Sequence, residues 1–201
     1  MAVWMVGVDH NRADLDTRGV FSFTNKKMEE AFERFGALPG LSGSVILSTC
    51  NRTEWWISVT EKAVFSPTEE LCRSLQLDPS VYGTYLAELK DDAAIGHLFR
   101  LAAGLESRIV GEDQILSQVN DALHTARVAC AADHTLEVLL RIAVTAGKRV
   151  RTETEISRAD TSVVHTALRM LREKGFSAEG KKCLVIGSGM MGKLAATTLL
   201  E

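Results

Sequence analysis

A cysteine stands between a hydroxyl and an amide, two residues before an arginine, in the run Ser48-Thr49-Cys50-Asn51-Arg52-Thr53-Glu54. A thiol becomes a nucleophile when a nearby positive charge or peptide dipoles favour its thiolate, and Arg52 could supply that charge. The planar fork of Arg52 could equally clamp a substrate carboxylate, while Thr49 and Asn51 add groups for positioning. The plain alternative makes Cys50 a small residue at a strand end and Arg52 half of a surface ion pair. His97 falls in mid-helix, where a histidine is more often a satisfied, partly buried side chain than a catalyst. Imidazole chemistry would nevertheless suit it to polarise a carbonyl or pass a proton. His10, just after the first apolar run, has the same two readings.

Glu112, Asp113 and Gln114 open a helix, where carboxylates are favoured by the dipole with no function needed. Arg141, Lys148 and Arg151, with Arg149 close by, make a basic helix face that either holds phosphates or is simply solvated. Near the end of the chain, Gly187-Ser188-Gly189-Met190-Met191-Gly192 follows an apolar run and precedes a helical one. In G-x-G-x-x-G the first glycine allows the turn, the second admits a pyrophosphate, and the third lets helix pack on strand. A glycine-rich turn of an ordinary α/β unit is the alternative. A complete unit needs a second strand and an acidic residue roughly 20 positions on. The sequence ends at Glu201 before either, so the pattern reads as the opening of a second domain cut off partway. His124, His134 and His165 have no partner at metal-ligand spacing, and a zinc site is not expected.

These residues need elements to hold them. Val3–Val8 reads as a buried strand, followed by a polar turn over Asp9–Asp14. Thr24 caps a helix carrying Met28, Ala31, Phe32 and Phe35 on one face and stopping at Gly36. Ser44–Ser48 and Glu54–Val59 are strands, and the cysteine run between them is a tight connection. Ser66-Pro67-Thr68-Glu69 has a capping-box pattern with proline at the first helical position, so a helix runs to about Leu75. From about Asp91 the chain turns helical. Ile95, Leu98, Ala102 and Leu105 mark one helix ending near Gly104, and Ile115, Val119, Ala122, Ala126 and Cys130 mark a second. Asp133 or Thr135 caps a third, long helix with Leu136, Leu140, Ala143 and Val150, and another spans Thr161 to Lys174. Cys183–Ile186 is a short strand before the glycine-rich turn.

The bulk composition fits a soluble, globular chain of one to two domains. The 201 residues are 46% apolar and 24% charged, with only three prolines. No stretch approaches the roughly 20 apolar residues of a membrane helix, and the N-terminus lacks the basic region of a signal peptide. A cytoplasmic location follows as the expectation. A net charge of −3 gives no global attraction to nucleic acid, so any such contact must be local. The cysteines at 50, 72, 130 and 183 form no C-x-x-C pair and should be reduced; Cys130 and Cys183 read as small core residues.

The chain resembles the glutamyl-tRNA reductases through four blocks in family order. They are Ser48–Glu54, then His97-Leu98-Phe99-Arg100 leading to Gly104-Leu105-Glu106-Ser107, then Gly111–Gln118, then Gly147–Thr154; the glycine-rich turn follows where the family puts its NADPH site. Two loops depart from the family pattern. His10-Asn11-Arg12-Ala13-Asp14 stands in place of His-Lys-Thr-Ala-Pro, and Gly111-Glu112-Asp113-Gln114 in place of Gly-Glu-Pro-Gln.

The resemblance implies an α+β fold: residues 1–155 a catalytic domain binding glutamyl-tRNA, and 156–201 a linker helix and the truncated start of a Rossmann-like NADPH domain. Within the first, 1–90 is the strand/helix part and 91–155 the helical part. It implies that Cys50 attacks the ester of glutamyl-tRNA to leave a thioester, which NADPH reduces to glutamate-1-semialdehyde, the first step of tetrapyrrole synthesis. His97 matches a histidine thought to orient or polarise the reacting group. Thr49, Asn51, Arg52, Ser107, Glu112, Asp113, Gln114 and Gln118 match the glutamate pocket, with Arg52 as carboxylate clamp. Gly187, Ser188, Gly189, Met190, Met191 and Gly192 match the cofactor turn. A homodimer and an aminomutase partner are implied for the intact protein. Two other readings stay open: a charged-tRNA-binding module with an inert Cys50, and a truncated NAD(P)-dependent oxidoreductase of a small metabolite.

Overall fold

The computed structural model describes residues 1–112, 114–156 and 163–200. Its centre is a four-stranded antiparallel sheet in the order β2-β3-β1-β4, formed by β1 (Ala2–Asp9), β2 (Leu41–Ser48), β3 (Arg52–Val59) and β4 (Ala87–Lys90). Helices cover both faces. On one side lie α2 (Asn25–Gly36) and α3 (Pro67–Ser74), with α1 (Leu15–Val20) and the short α4 (Pro79–Tyr82) near by. On the other lie α5 (Asp92–Ala103), α6 (Gln114–Val128) and α7 (His134–Glu153). Beyond them come α8 (Val163–Glu173) and α9 (Met190–Leu200), which pack on each other.

The double cover explains β3. Every one of its eight residues is buried, because alternate side chains enter opposite helical layers. Trp55 goes one way and stacks on Phe35 of α2, with ring centroids 3.8 Å apart. Arg52, Glu54 and Trp56 go the other way, toward α5, where Trp56 lies against His97. Gly7 of β1 is paired with Glu54, and a Cβ there would come within 2.4 Å of the Thr53 carbonyl oxygen. Its missing side chain is what lets β1 pass so close to that carboxylate.

Local signals set most element ends. Thr24, Ser66 and Asp133 each accept an N–H from the first turn of α2, α3 and α7. Gly104, in the left-handed conformation, closes α5. Asp14 caps α1, accepting the Thr17 N–H at 2.8 Å. The expected polar turn after β1 is therefore followed by an unexpected helix, and α4 and β4 were likewise not foreseen. The expected helix from Thr161 is found from Val163 to Glu173, its first residues lying outside the described ones. The strand and helical parts share one hydrophobic core, running from Val6, Trp55 and Phe35 to Leu98, Ile115 and Leu136.

Three apolar expectations fail. Cys183–Ile186 is not a strand, and Leu184 and Ile186 are 85% and 90% exposed. A strand needs a hydrogen-bonded neighbour, and no described segment pairs with this one. Cys183 is accordingly exposed rather than a core residue. Cys130 is exposed too, because α6 ends at Val128 and Cys130 takes φ +53° in the turn that follows. Cys72 of α3 is the buried thiol, its pKa pushed up by burial.

Candidate active site

The cysteine sits at the tip of the β2–β3 hairpin. Thr49 N–H donates to the Arg52 carbonyl at 2.8 Å, leaving Cys50 and Asn51 as the turn. The Thr49 hydroxyl oxygen accepts both the Asn51 and Arg52 N–H groups, each at 3.2 Å. The threonine thus fixes the turn as well as lining it. Cys50 is exposed.

Beneath the tip, β3 carries a buried polar network. Arg52 is only 2% exposed; its Nη1 donates to Glu54 Oε1 at 2.7 Å and its Nη2 to the Glu106 carbonyl. The clamp expected for a substrate carboxylate therefore grips a carboxylate of its own chain. Glu54 Oε1 also meets His97 Nε2 at 2.9 Å, and Glu54 Oε2 accepts Trp56 Nε1–H at 3.1 Å. Burial alone would raise the Glu54 pKa, but His97 and Arg52 overcome it and hold it down at about 2. An ionised carboxylate only accepts, so the proton in the His97–Glu54 contact belongs to Nε2. The other ring nitrogen, Nδ1, lies on the opposite edge. It faces Glu106 Oε1 at 3.8 Å, and that oxygen is held by Arg100 Nε at 2.6 Å. A cavity of about 250 Å³ opens here, lined in part by Asp9, Asn11, Glu54, His97 and Glu106. Cys50 does not line it.

A loop from α5 to α6 completes the wall. Its ends meet where Gly111 N–H donates to the Gly104 carbonyl at 3.0 Å. Arg151 of α7 donates to the carbonyls of Ala102 and Glu112, both at 2.8 Å, holding the two ends together. The loop sets Ser107 in the interior, its hydroxyl facing the Glu112 carboxylate. Burial raises the Glu112 pKa, against the opposing pull of Ser107, Arg52 and Arg151. Asp113 lies outside the described residues. Gln114 and Gln118 are half-buried on the first turns of α6.

The turn is reached from a second side by residues after β1. His10 Nδ1 is buried without a partner among the described residues, and burial lowers the His10 pKa; Asp9 opposes this, while Arg52, Arg18 and Arg108 add to it. Arg18 of α1 donates from Nε to the Cys50 carbonyl at 3.4 Å and from Nη1 to the Ala13 carbonyl at 2.5 Å.

Comparison with known proteins decides the family. The model for the N-terminal domain of glutamyl-tRNA(Glu) reductase matches residues 6–154. The chain belongs to the glutamyl-tRNA reductase family. It is 39% identical to the glutamyl-tRNA reductase of Acetivibrio thermocellus and 37% identical to that of Alkaliphilus oremlandii, covering 100% of this chain and 60% of each relative. The solved glutamyl-tRNA reductase from Methanopyrus kandleri superposes with a TM-score of 0.70 at 34% identity, over 98% of this chain and 46% of that one. The chain thus spans about half to three-fifths of the length of these reductases.

Against that family frame, the structure joins Thr49, Arg52, His97 and Ser107 through the hairpin, α5 and the Glu106 loop. Glu54, Trp56, Glu106 and Arg18 belong to the same assembly and were not singled out in the sequence. The one signal for Glu54 and Trp56 was alternation: residues 52, 54 and 56 of a strand share a face. The basic helix face divides differently from expectation. Arg151 points inward to carbonyls and Arg149 pairs with Glu153 at 3.1 Å, while Arg141 and Lys148 stay exposed. Among the described residues no cluster could hold a metal ion, and no helix is long and apolar enough to cross a membrane. His124 and His134 are exposed, and the His165 side chain lies outside the described ones.

Two positions of the glycine-rich run require glycine. Gly187 takes φ +117°, a Cβ on Gly192 would lie 2.1 Å from the Gly187 carbonyl oxygen, and Gly189 has open space around it. α9 starts at Met190, inside the glycine-rich run, and Met191 Sδ accepts a contact from Gln114 Nε2 at 3.4 Å.

Proposed function

We propose that residues 1–155 form the acyl-transfer domain of a glutamyl-tRNA reductase. The observation that carries this is an exposed cysteine at the tip of a fixed turn, backed by the Arg52–Glu54–His97 network. Cys50 Sγ attacks the ester carbonyl of glutamyl-tRNA. The S–C bond forms, the ester C–O bond breaks, and the thiol proton ends on the departing ribose oxygen of the tRNA. Thr49, Asn51, Arg52, Ser107, Glu112, Asp113, Gln114 and Gln118 surround the glutamyl group, with His10 offering a ring nitrogen that no described residue satisfies. Glu54 holds the His97 ring through Nε2, which sets the ring's orientation toward the reacting group that it orients or polarises.

Residues 156–201 begin the NADPH domain. The turn Gly187–Gly192 fits a pyrophosphate, held by Gly187, Ser188, Gly189, Met190, Met191 and Gly192. Bound there in the whole protein, NADPH supplies the hydride that turns the thioester into glutamate-1-semialdehyde, opening tetrapyrrole synthesis. Charged tRNA is the partner of the first step; a homodimer and an aminomutase that takes the aldehyde belong to the intact enzyme. The activity is cytoplasmic on this reading.

The test uses tRNA carrying radiolabelled glutamate, without NADPH, and an acid quench. Label on the protein that disappears in Cys50→Ser supports the reading. A folded chain that binds the charged tRNA and takes no label refutes acyl transfer and leaves a binding module. Failure to bind charged tRNA at all returns the small-metabolite oxidoreductase.

A further inference from the structure

The loop between α5 and α6 reaches the site at several points. The Glu106 carbonyl accepts from Arg52 Nη2, the Glu106 carboxylate lies 3.8 Å from His97 Nδ1, and the buried Ser107 hydroxyl faces the Glu112 carboxylate. A loop holds such groups in register only when its two ends are fixed. Here they are fixed from α7. Arg151 Nη1 donates to the Ala102 carbonyl at 2.8 Å, in the last turn of α5, and to the Gly147 carbonyl of its own helix at 3.0 Å. Its Nη2 donates to the Glu112 carbonyl at 2.8 Å, two residues ahead of α6. One planar guanidinium therefore joins the end of one helix to the start of the next. The bonds are charge-assisted, and the Ala102 carbonyl belongs to the negative end of the α5 dipole.

Glycines make this approach possible. Gly147 is buried one turn before Arg151, and a Cβ there would run into the Ala102 carbonyl oxygen, so its missing side chain brings α7 within reach of α5. Gly111, at φ +85°, closes the neck of the loop by donating to the Gly104 carbonyl at 3.0 Å, and a Cβ there would run into the Ile156 carbonyl oxygen in the chain leaving α7. We propose that Arg151 is a positioning residue for acyl transfer: by fastening the neck of the α5–α6 loop it sets Glu106, Ser107 and Glu112 against the hairpin that carries Cys50. This rests on the acyl-transfer reading and gives a duty in that reaction to a cation of the helix face. Arg151 acts through the loop, so its loss displaces the glutamyl group from the thiol without altering the thiol itself.

The experiment follows single-turnover labelling of Cys50 as the concentration of glutamyl-tRNA is raised, in the wild-type chain, Arg151→Met and Arg151→Lys. Circular dichroism and the urea midpoint report folding. Alkylation by iodoacetamide reports the reactivity of Cys50 on its own, read by peptide mapping because Cys130 and Cys183 are exposed too. In Arg151→Met the maximal labelling rate falls by roughly a hundredfold, the effect of a small misplacement of reacting groups, while the half-saturating tRNA concentration and the alkylation rate stay within about twofold. Arg151→Lys recovers roughly tenfold of that loss, because the charge remains but the fork is gone. A folded Arg151→Met with an unchanged maximal rate would show that Arg151 only ties helices together and would overturn the proposal. Equal losses of labelling and alkylation would overturn it by placing the effect at the thiol, and a loss confined to half-saturation would do so by making Arg151 a tRNA contact. Should Arg151→Met not fold, Arg151→Lys decides by the same readouts. No label from the wild type sinks the acyl-transfer reading and this proposal with it, a result that no variant can mimic.

Discussion

Replacing Glu54 by glutamine tests the network at its centre. The carboxylate accepts from Arg52 and His97 on Oε1 and from Trp56 on Oε2, so every neighbour is a donor. Glutamine has nearly the same shape, but its NH₂ must face one of those donors, and the Arg52 charge loses its counter-ion. Breaking a buried ion pair in this way costs about 3–5 kcal/mol. The pH dependence gives an independent figure. The Glu54 pKa falls from an ordinary 4.5 to about 2 on folding, worth about 3 kcal/mol. Because the folded pKa is the lower one, that stabilisation is complete above pH 4.5 and is lost as the pH falls toward 2.

Urea unfolding followed by the fluorescence of the buried Trp55 and Trp56 measures both effects. At pH 7, Glu54→Gln is expected to lose about 3–5 kcal/mol, and its stability should depend less on pH than the wild type's between about 4.5 and 2. The gap between the two proteins therefore narrows in acid. A loss below about 1 kcal/mol at pH 7, or parallel pH curves, would show that Glu54 is not the charge that holds Arg52 and His97.

Cys50→Ser should abolish acyl labelling while moving stability by no more than about 0.5 kcal/mol, since the residue is an exposed turn residue; a large drop in the urea midpoint would contradict the turn geometry. Gly7→Ala should cost about 1–3 kcal/mol, because its Cβ meets backbone at the Thr53 carbonyl. An unchanged midpoint would mean that β1 and β3 do not approach so closely. Reversing both Arg141 and Lys148 to glutamate should weaken charged-tRNA binding and flatten its salt dependence, by about one unit of log–log slope per lost phosphate contact. An unaltered slope would place the tRNA on another face.

What could be read in the sequence was what depends on near neighbours. Thr24, Ser66 and Asp133 announce helix starts through bonds three residues long, and Gly104 announces an end. β4 and α1 were missed because they are short and exist by virtue of what they pack on: Ala87–Lys90 is a strand only against β1. The same divide runs through the site. Cys50, Arg52 and His97 stand out by type, but the bond from His97 to Glu54 spans 43 positions and that from Arg52 to Glu106 spans 54. Arg151 looks like one more cation on a helix face until the carbonyls it serves, 49 and 39 residues away, are in place.

The charges around the cysteine fall into two groups with different duties. Below the turn, Arg52 and Arg100 are matched by Glu54 and Glu106, and the set is closed over His97. Such a balanced group, buried at Arg52, Glu54 and His97, fixes geometry, and substitutions at those three should appear first in stability. Beside the turn, Arg18 has carbonyls but no carboxylate partner among the described residues. Its bonds to the Cys50 and Ala13 carbonyls tie α1 to the cysteine turn, so its loss should appear in how well that turn presents the thiol. Glu54→Gln and Arg18→Gln therefore separate the two duties: the first lowers the unfolding midpoint, and the second lowers acyl labelling of Cys50 with less change in that midpoint. If either substitution produced the other's signature, the division of charge seen around the turn would not be what organises the site.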